Sequence, residues 1–227
     1  MTYGETAVGQ TIDRLLSEHP DLDPSADGAL DNLDQFHIGG SDATGLLLGC
    51  LALTEGDRVL DVGSGFGGPA RQIARRTGNH VTGIDVTSAY VEAARDLTAR
   101  TGLRALVEFR VADIATFEPD SPFQAAVTMH VQMNVRDKTT WFAHIARCLA
   151  PGAHLAVWEV CQPRQTDLPW PMPWCWFSRT LANGLPAGPA LPVLLNDGYT
   201  RIVNLAAALG NGSLEVWRGA FTSLTAR

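Results

Sequence analysis

Residues 59–69, Val-Leu-Asp-Val-Gly-Ser-Gly-Phe-Gly-Gly-Pro, constrain the fold of this 227-residue chain more than any other segment. A short apolar run stops in glycines, and a proline suited to the first turn of a helix follows. Glycine adopts positive φ angles and lets the backbone come close to a ligand. The segment therefore predicts a strand, a tight turn and a helix, with a ligand site at the carboxyl end of the strand.

Apolar runs and helical patterns alternate on both sides of this segment, which is typical of a parallel sheet covered by helices. Strands are predicted over residues 58–62, 81–84, 106–111, 123–129 and 154–160. Helices are predicted over residues 5–18, from a cap at Ser41 or Asp42, from Pro69 as first residue to Gly78, over 87–100, and after a cap at Asp137.

The end of the chain predicts two further strands, over residues 199–207 and 214–221, joined at Gly210-Asn211-Gly212, a turn that favours a hairpin. The predicted fold is therefore α/β and Rossmann-like. Its sheet has seven mostly parallel strands, with helices on both faces and a C-terminal antiparallel hairpin. Pro151-Gly152 is interpreted as a turn before the fifth strand.

Composition sets limits on partners and location. The formal net charge of −7 is a weak argument against a nucleic-acid partner. The N-terminus lacks the basic start and apolar region of a signal peptide, and residues 46–53 are too short to cross a bilayer. The four cysteines and six histidines do not follow metal-ligand spacing, so no metal site is expected. These features predict a cytoplasmic protein without a membrane partner.

Asp61 decides what the glycine turn binds. Gly63, Gly65 and Gly68 also satisfy the G-x-G-x-x-G pattern of dinucleotide sites, so that alternative stays open. A carboxylate two residues before the first glycine repels a diphosphate, whereas it attracts a ligand that carries an ammonium and a sulfonium. Asp61 acts on such a ligand directly, through water or by ordering the loop.

Two more acids follow the next two predicted strands. Asp85 can accept hydrogen bonds from both hydroxyls of a ribose, which suits NAD as well as an adenosyl amino acid. Asp113 can accept from an adenine amino group, with Val86 and Ile114 on either side of the ring. Each acid alone could be a helix cap or a solvated loop residue. Three acids at successive strand ends, together with the glycine loop, favour a nucleoside-type ligand.

These residues resemble class I S-adenosylmethionine-dependent methyltransferases. Residues 61–67 look like the first motif of that family, Asp85 matches its ribose-binding acid, and Asp113 its adenine-side acid. Residues 149–155 look like the turn before its fifth strand, with Ala153 in place of a usual glycine. Residues 34–40, 67–71 and 130–135 are similar to small-molecule methyltransferases of the sarcosine/dimethylglycine and ubiquinone-pathway kind.

The resemblance implies S-adenosylmethionine as cofactor, S-adenosylhomocysteine as product and a small-molecule substrate; a homodimer is possible. It divides one methyltransferase domain, residues 1–227, into a helical N-terminal cap (1–55), a cofactor-binding core (56–160), a Pro/Trp-rich lid (161–198) and a hairpin (199–227). The expected cofactor contacts are Gln35, His37, Asp61, Gly63, Ser64, Gly65, Gly68, Asp85, Val86, Asp113, Ile114 and His130.

The expected chemistry lies at the ends of the fourth and fifth strands. His130 and Glu159 are the candidate catalytic residues, since either could take a proton and Glu159 could hold a cationic amine. His130 could instead be hydrogen-bonded to the cofactor or the backbone, and Glu159 could be paired structurally. Gln132, Asn134, Trp158 and Trp174 are candidate substrate contacts, the tryptophans as part of an aromatic cluster that is either a substrate wall or a core or dimer contact.

Four functions are compatible with these patterns. The first is methyl transfer to an N, O or C atom of a small metabolite. The second is other chemistry on the same fold, such as a cyclisation in secondary metabolism with retained cofactor, because fold does not fix reaction type. The third is an NAD-dependent oxidoreductase, and the fourth a non-catalytic protein that retains cofactor affinity.

Overall fold

A computed structural model describes residues 14, 16–19, 21–37, 39–158 and 200–203. Its helices are α1 (Asp31–Asp34), α2 (Gly40–Gly49), α3 (Gly68–Thr77), α4 (Ser88–Arg100) and α5 (Lys138–Arg147), and Gln132–Asn134 form a 3-10 turn. Its strands are β1 (Arg58–Val62), β2 (His80–Asp85), β3 (Val107–Val111), β4 (Phe123–Met129), β5 (Leu149–Trp158) and β6 (Thr200–Val203).

The strands form one sheet in the order β3-β2-β1-β4-β5-β6. The first five strands are parallel, and β6 runs antiparallel to β5, with Thr200 opposite Trp158. The chain order reverses between β1 and β4, which is where ligands bind in open α/β sheets. The α/β Rossmann-like prediction is confirmed. The predicted seventh strand, residues 214–221, lies outside the described residues, as does its hairpin turn.

Apolar side chains on both faces of the sheet explain why its strands are near-continuous hydrophobic runs. On one face Val59, Val81 and Val127 pack against Leu47 of α2 and Ile73 of α3. A second buried cluster covers the other face with the side chains Leu60, Val62, Ile84, Leu155, Trp141, Phe142 and Ile145, the last three from α5. Helices therefore cover both faces, as predicted.

Strand β5 begins five residues earlier than predicted. Phe123 of β4 lies opposite Leu149, but Ala125 lies opposite His154, so the register shifts between them. Pro151-Gly152 sits within this irregular stretch, and Gly152 has φ +84°. The interpretation of these two residues as a turn before the strand was wrong, because pairing with β4 extends across them through a bulge.

Two predicted helix starts need correction, while one predicted end and one predicted start are confirmed. Helix α2 begins at Gly40 after Gly39 with φ +89°, so Ser41 and Asp42 lie inside its first turn and do not cap it. Helix α3 begins at Gly68, which makes Pro69 its second residue. Gly78 ends α3 in the left-handed conformation, and the Asp137 carboxylate caps α5 by accepting from Thr140 N.

Candidate functional site

Backbone hydrogen bonds hold the loop after β1 against β2 and fold it back on itself. Gly63 N and Ser64 N both donate to Ile84 O, at 2.8 and 3.0 Å, and Gly67 N donates to Ser64 O at 2.8 Å. Gly63, Gly65 and Gly67 have φ angles of +78°, +51° and +80°, which side-chain-bearing residues rarely adopt. The glycines are therefore needed for the path of the loop itself.

The three glycines differ in what surrounds them. A Cβ at Gly63 would clash with Val131, and one at Gly67 with the Phe109 ring, both closer than 3.0 Å. A Cβ at Gly65 would project into open space. Gly63 and Gly67 thus allow close packing inside the protein, whereas Gly65 borders the crevice at the strand ends.

Asp85 holds this loop in place. Its Oδ2 accepts from Gly65 N at 3.0 Å, and its Oδ1 accepts from Thr87 N at 2.9 Å, just before α4. The carboxylate thereby joins the glycine loop to the start of the next helix. Each oxygen retains a second acceptor site, so these bonds are compatible with the ribose contact, which stays a prediction.

Asp61 is a buried carboxylate below the loop. Its side chain is 2% exposed, and its Oδ2 has no hydrogen-bond partner. Burial, and secondly the nearby Asp85 charge, raise the pKa of Asp61 from 3.8 to about 7, with Arg71 opposing the shift. An unpaired buried acid is costly and marks a place where a cationic or hydrogen-bonding ligand is expected.

Two more unpartnered polar atoms accompany Asp61. Ser64 Oγ, in the glycine loop, and His130 Nε2, just after β4, are both buried without a hydrogen-bond partner. His130 has φ +55°, although its backbone N–H donates to Trp158 O at 2.8 Å. A non-glycine residue in this conformation is strained, and such strain concentrates at functional sites.

His37 lies beside His130 and belongs to a buried polar network. The two imidazole rings are 6.3 Å apart. His37 Nε2 lies 2.8 Å from Gly40 O, which requires a proton on that nitrogen, and 3.1 Å from Thr44 Oγ1. Thr44 donates to Gln35 Oε1 at 2.9 Å, and Gln35 Nε2 donates to Gln72 Oε1 at 2.8 Å. The network fixes Gln35 and His37 against helices α2 and α3.

We predict that the His130 imidazole is neutral at neutral pH. Burial, and secondly the nearby His37, lower its pKa from 6.5 to about 4. The folded protein therefore binds this proton more weakly than the unfolded chain, and the group costs stability as pH falls from 6.5 towards 4. NMR titration of the imidazole checks this, with His130→Gln to identify the signal; a midpoint near 6.5 would contradict it.

The remaining predicted contacts are spread between surface and core. Val86 is 65% exposed, whereas Ile114 is 4% exposed and packs in the core on the α5 side. Asp113 is exposed, and its Oδ1 accepts from Ala115 N at 2.9 Å. An exposed Val86 is available to a planar ligand, while Ile114 offers at most an edge.

The predicted substrate contacts also differ in how exposed they are. Trp158 is buried in the α2 side of the core and lies beside Gly39. Gln132 is buried and Asn134 is exposed, both in the 3-10 turn after His130. Glu159 and Trp174 lie outside the described residues. The structure thus brings His37, Asp61, Ser64 and His130 to one edge of the sheet.

Arg71 and Asp34 were not singled out from the sequence as site residues. Their side chains form a buried ion pair, with Arg71 Nη2 2.6 Å from Asp34 Oδ2. Both lie in segments that are similar to small-molecule methyltransferases, residues 34–40 and 67–71, but nothing in the sequence indicated that the two side chains would pair. Within the described residues no group of three His, Cys, Asp or Glu side chains could hold a metal ion, and no helix is long and apolar enough to span a membrane.

Comparison with known proteins agrees with this geometry. Residues 59–152 match the family described as a methyltransferase domain. This part of the chain is therefore similar to the methyltransferases. Methyltransferase phqN of Penicillium fellutanum is 35% identical over 108 residues, covering 47% of this chain and 33% of that protein.

Two solved structures share the class I methyltransferase fold. The 4+2 cyclase SpnF is 34% identical, with a TM-score of 0.53, covering 57% of this chain and 48% of that one. Phosphoethanolamine N-methyltransferase 2 of Haemonchus contortus, in complex with S-adenosyl-L-methionine, is 22% identical with a TM-score of 0.56, covering 71% of this chain and 37% of that one. The chain thus spans less than half the length of these relatives.

Proposed function

We propose that this chain binds S-adenosylmethionine and transfers its methyl group to an N, O or C atom of a small-molecule metabolite. The observation that carries the proposal is the buried, unpartnered Oδ2 of Asp61 directly below a glycine loop. The ammonium and sulfonium groups of the cofactor would supply the positively charged partner that this carboxylate lacks. The match of residues 59–152 to a methyltransferase domain supports the same cofactor.

The loop fits this cofactor better than a dinucleotide. A diphosphate is bound by free backbone amides and repelled by a carboxylate. Here the amides of Gly63, Ser64, Gly65 and Gly67 already donate within the protein. Asp61 adds negative charge at the same place. Four of the amides that a diphosphate would use are therefore already occupied, which disfavours the NAD alternative.

We assign the following roles to the chain's own residues. Asp61 and Ser64 hold the amino acid part of the cofactor, Asp85 the ribose, and Asp113 with Val86 the adenine. When bound, the sulfonium supplies an electrophilic methyl group. His130, neutral at neutral pH, orients a ligand by hydrogen bonding, because a pKa of about 4 makes it a weak base.

The residues that complete the substrate side stay proposals. Glu159 is proposed to bind a cationic amine of the substrate or to take a proton from it. Trp174 is proposed to form part of an aromatic wall of the substrate site. Gln132 lies in the turn next to His130 and is proposed to orient the substrate together with Asn134. A cytoplasmic location is likewise proposed, together with a possible homodimer.

The proposal is tested first by binding. Calorimetric titration with S-adenosylmethionine, S-adenosylhomocysteine and NADH should give dissociation constants in the micromolar range for the first two and no binding of NADH. Failure to bind either adenosyl compound would end the proposal. Turnover is then measured as S-adenosylhomocysteine formed in the presence of a small-molecule extract.

A second candidate is a reaction on retained cofactor without methyl transfer, such as a cyclisation. It is favoured by the 34% identity to the cyclase SpnF over 57% of this chain. The turnover assay separates the two functions. Methyl transfer produces S-adenosylhomocysteine in proportion to modified substrate, whereas cyclisation converts substrate and leaves S-adenosylmethionine unchanged.

A further inference from the structure

The Arg71 guanidinium connects three parts of the molecule. Its Nη2 donates to Asp34 Oδ2 and to Phe66 O, both at 2.6 Å, while its Nη1 donates to Thr98 Oγ1 at 2.9 Å and to Ala94 O at 3.2 Å. The side chain is only 4% exposed. One buried cation thus holds helix α1, the glycine loop and the far half of helix α4 together.

Helix α1 also lies unusually close to the start of α3. A Cβ at Gly68 would come within 2.5 Å of Asp34 O and 2.7 Å of Asp34 Oδ1. Glycine is therefore required at this helical position by the approach of α1, since its φ is ordinary. Asp34 can reach Arg71 only because Gly68, which lies between them at the start of α3, has no side chain.

We propose that Arg71 is a positioning residue that couples the docking of residues 31–37 to the shape of the glycine loop, so that the two form as one unit. This inference rests on the proposed function, because the coupled unit is the proposed cofactor site. Residues 31–37 include Gln35 and His37, and the loop includes Ser64. Arginine suits the task because its planar fork makes four directed bonds at once, which lysine cannot.

Arg71 also acts on the loop through its charge. Asp61 is influenced by Asp85 from β2 and by Arg71 from α3, and the guanidinium holds the Asp61 pKa below the value that burial and Asp85 would give it. His130, at the end of β4, is neutral at the relevant pH. Removing the positive charge at position 71 should therefore raise the pH at which Asp61 ionises. A lysine at this position retains the charge, so that pH should stay unchanged.

The coupling is tested with Arg71→Lys and Gly68→Ala in the full chain. Hydrogen exchange followed by mass spectrometry should show faster exchange in both residues 31–37 and residues 63–68, for either variant. The dissociation constant for S-adenosylmethionine should rise about tenfold or more, because bonds to a charged donor are lost. Arg75→Lys, one turn further along α3 in a more exposed pair with Asp27, should change neither measurement.

Arg71→Met adds a readout that mere loosening would not move. The pH midpoint of S-adenosylmethionine binding should rise in the Met variant and stay near wild type in the Lys variant; if the Met variant does not fold, Arg71→Lys and Gly68→Ala carry the test. Wild-type affinity in Arg71→Lys, or faster exchange in only one of the two segments, would overturn the proposal. If the wild type itself does not bind, the proposed function fails, while the exchange data still decide the coupling.

Discussion

Replacing Asp61 by asparagine should make the free protein more stable above neutral pH while weakening cofactor binding. The pKa of Asp61 is raised by burial from 3.8 to about 7 in the folded protein. Between these two pKa values Asp61 is ionised in the unfolded chain but protonated in the folded protein. The free energy of unfolding therefore falls as pH rises through this range. Above pH 7 the buried Asp61 charge lowers the free energy of unfolding by up to about 4 kcal/mol. The uncharged side chain of Asp61→Asn avoids this loss.

Urea denaturation at about pH 5 and about pH 8 measures this, since the window follows from the two pKa values. The wild type should lose more stability than Asp61→Asn between the two conditions. The affinity of the variant for S-adenosylmethionine should fall at least about tenfold at the higher pH. Asp113→Asn is the matched control for stability, because Asp113 is exposed. Equal pH slopes in wild type and Asp61→Asn would contradict the account.

Local sequence patterns predicted the strands that are bounded on both sides by turn-forming residues. Arg58–Val62 and Phe123–Met129 were predicted with their observed limits, because apolar runs end there in glycine or polar residues. The start of β5 could not be predicted in this way. It depends on pairing with β4 through a register shift, which is a property of the neighbouring strand and not of Pro151-Gly152.

The candidate site divides along the same line. Asp61 and the glycine loop follow from spacing alone, because they lie on one strand and the turn after it. The contact between Asp34 and Arg71 joins residues 37 positions apart, and the bond between Gln35 and Gln72 spans the same separation. No periodicity shows that α1 docks on α3. Likewise, the sequence suggested a ribose ligand for Asp85 but not that its carboxylate holds Gly65 N.

Gly63→Ala should strongly destabilise the protein and abolish cofactor binding. Alanine at φ +78° costs about 1–2 kcal/mol of unfolding free energy, because its Cβ crowds the carbonyl oxygen. The same Cβ clashes with Val131, which adds about 1–3 kcal/mol of overpacking. We therefore expect a total loss of about 2–5 kcal/mol, together with loss of S-adenosylmethionine binding. Chemical denaturation and calorimetry measure the two effects.

The two costs can be separated with variants that the chain itself offers. Gly78→Ala introduces alanine at φ +73° with nothing within 4 Å, so it reports the backbone cost alone. Val131→Ala combined with Gly63→Ala removes the clash and should recover the difference, once Val131→Ala has been measured by itself to close the cycle. If Gly63→Ala costs no more than Gly78→Ala, the loop does not pack against Val131. The positive φ angle alone then accounts for glycine at this position.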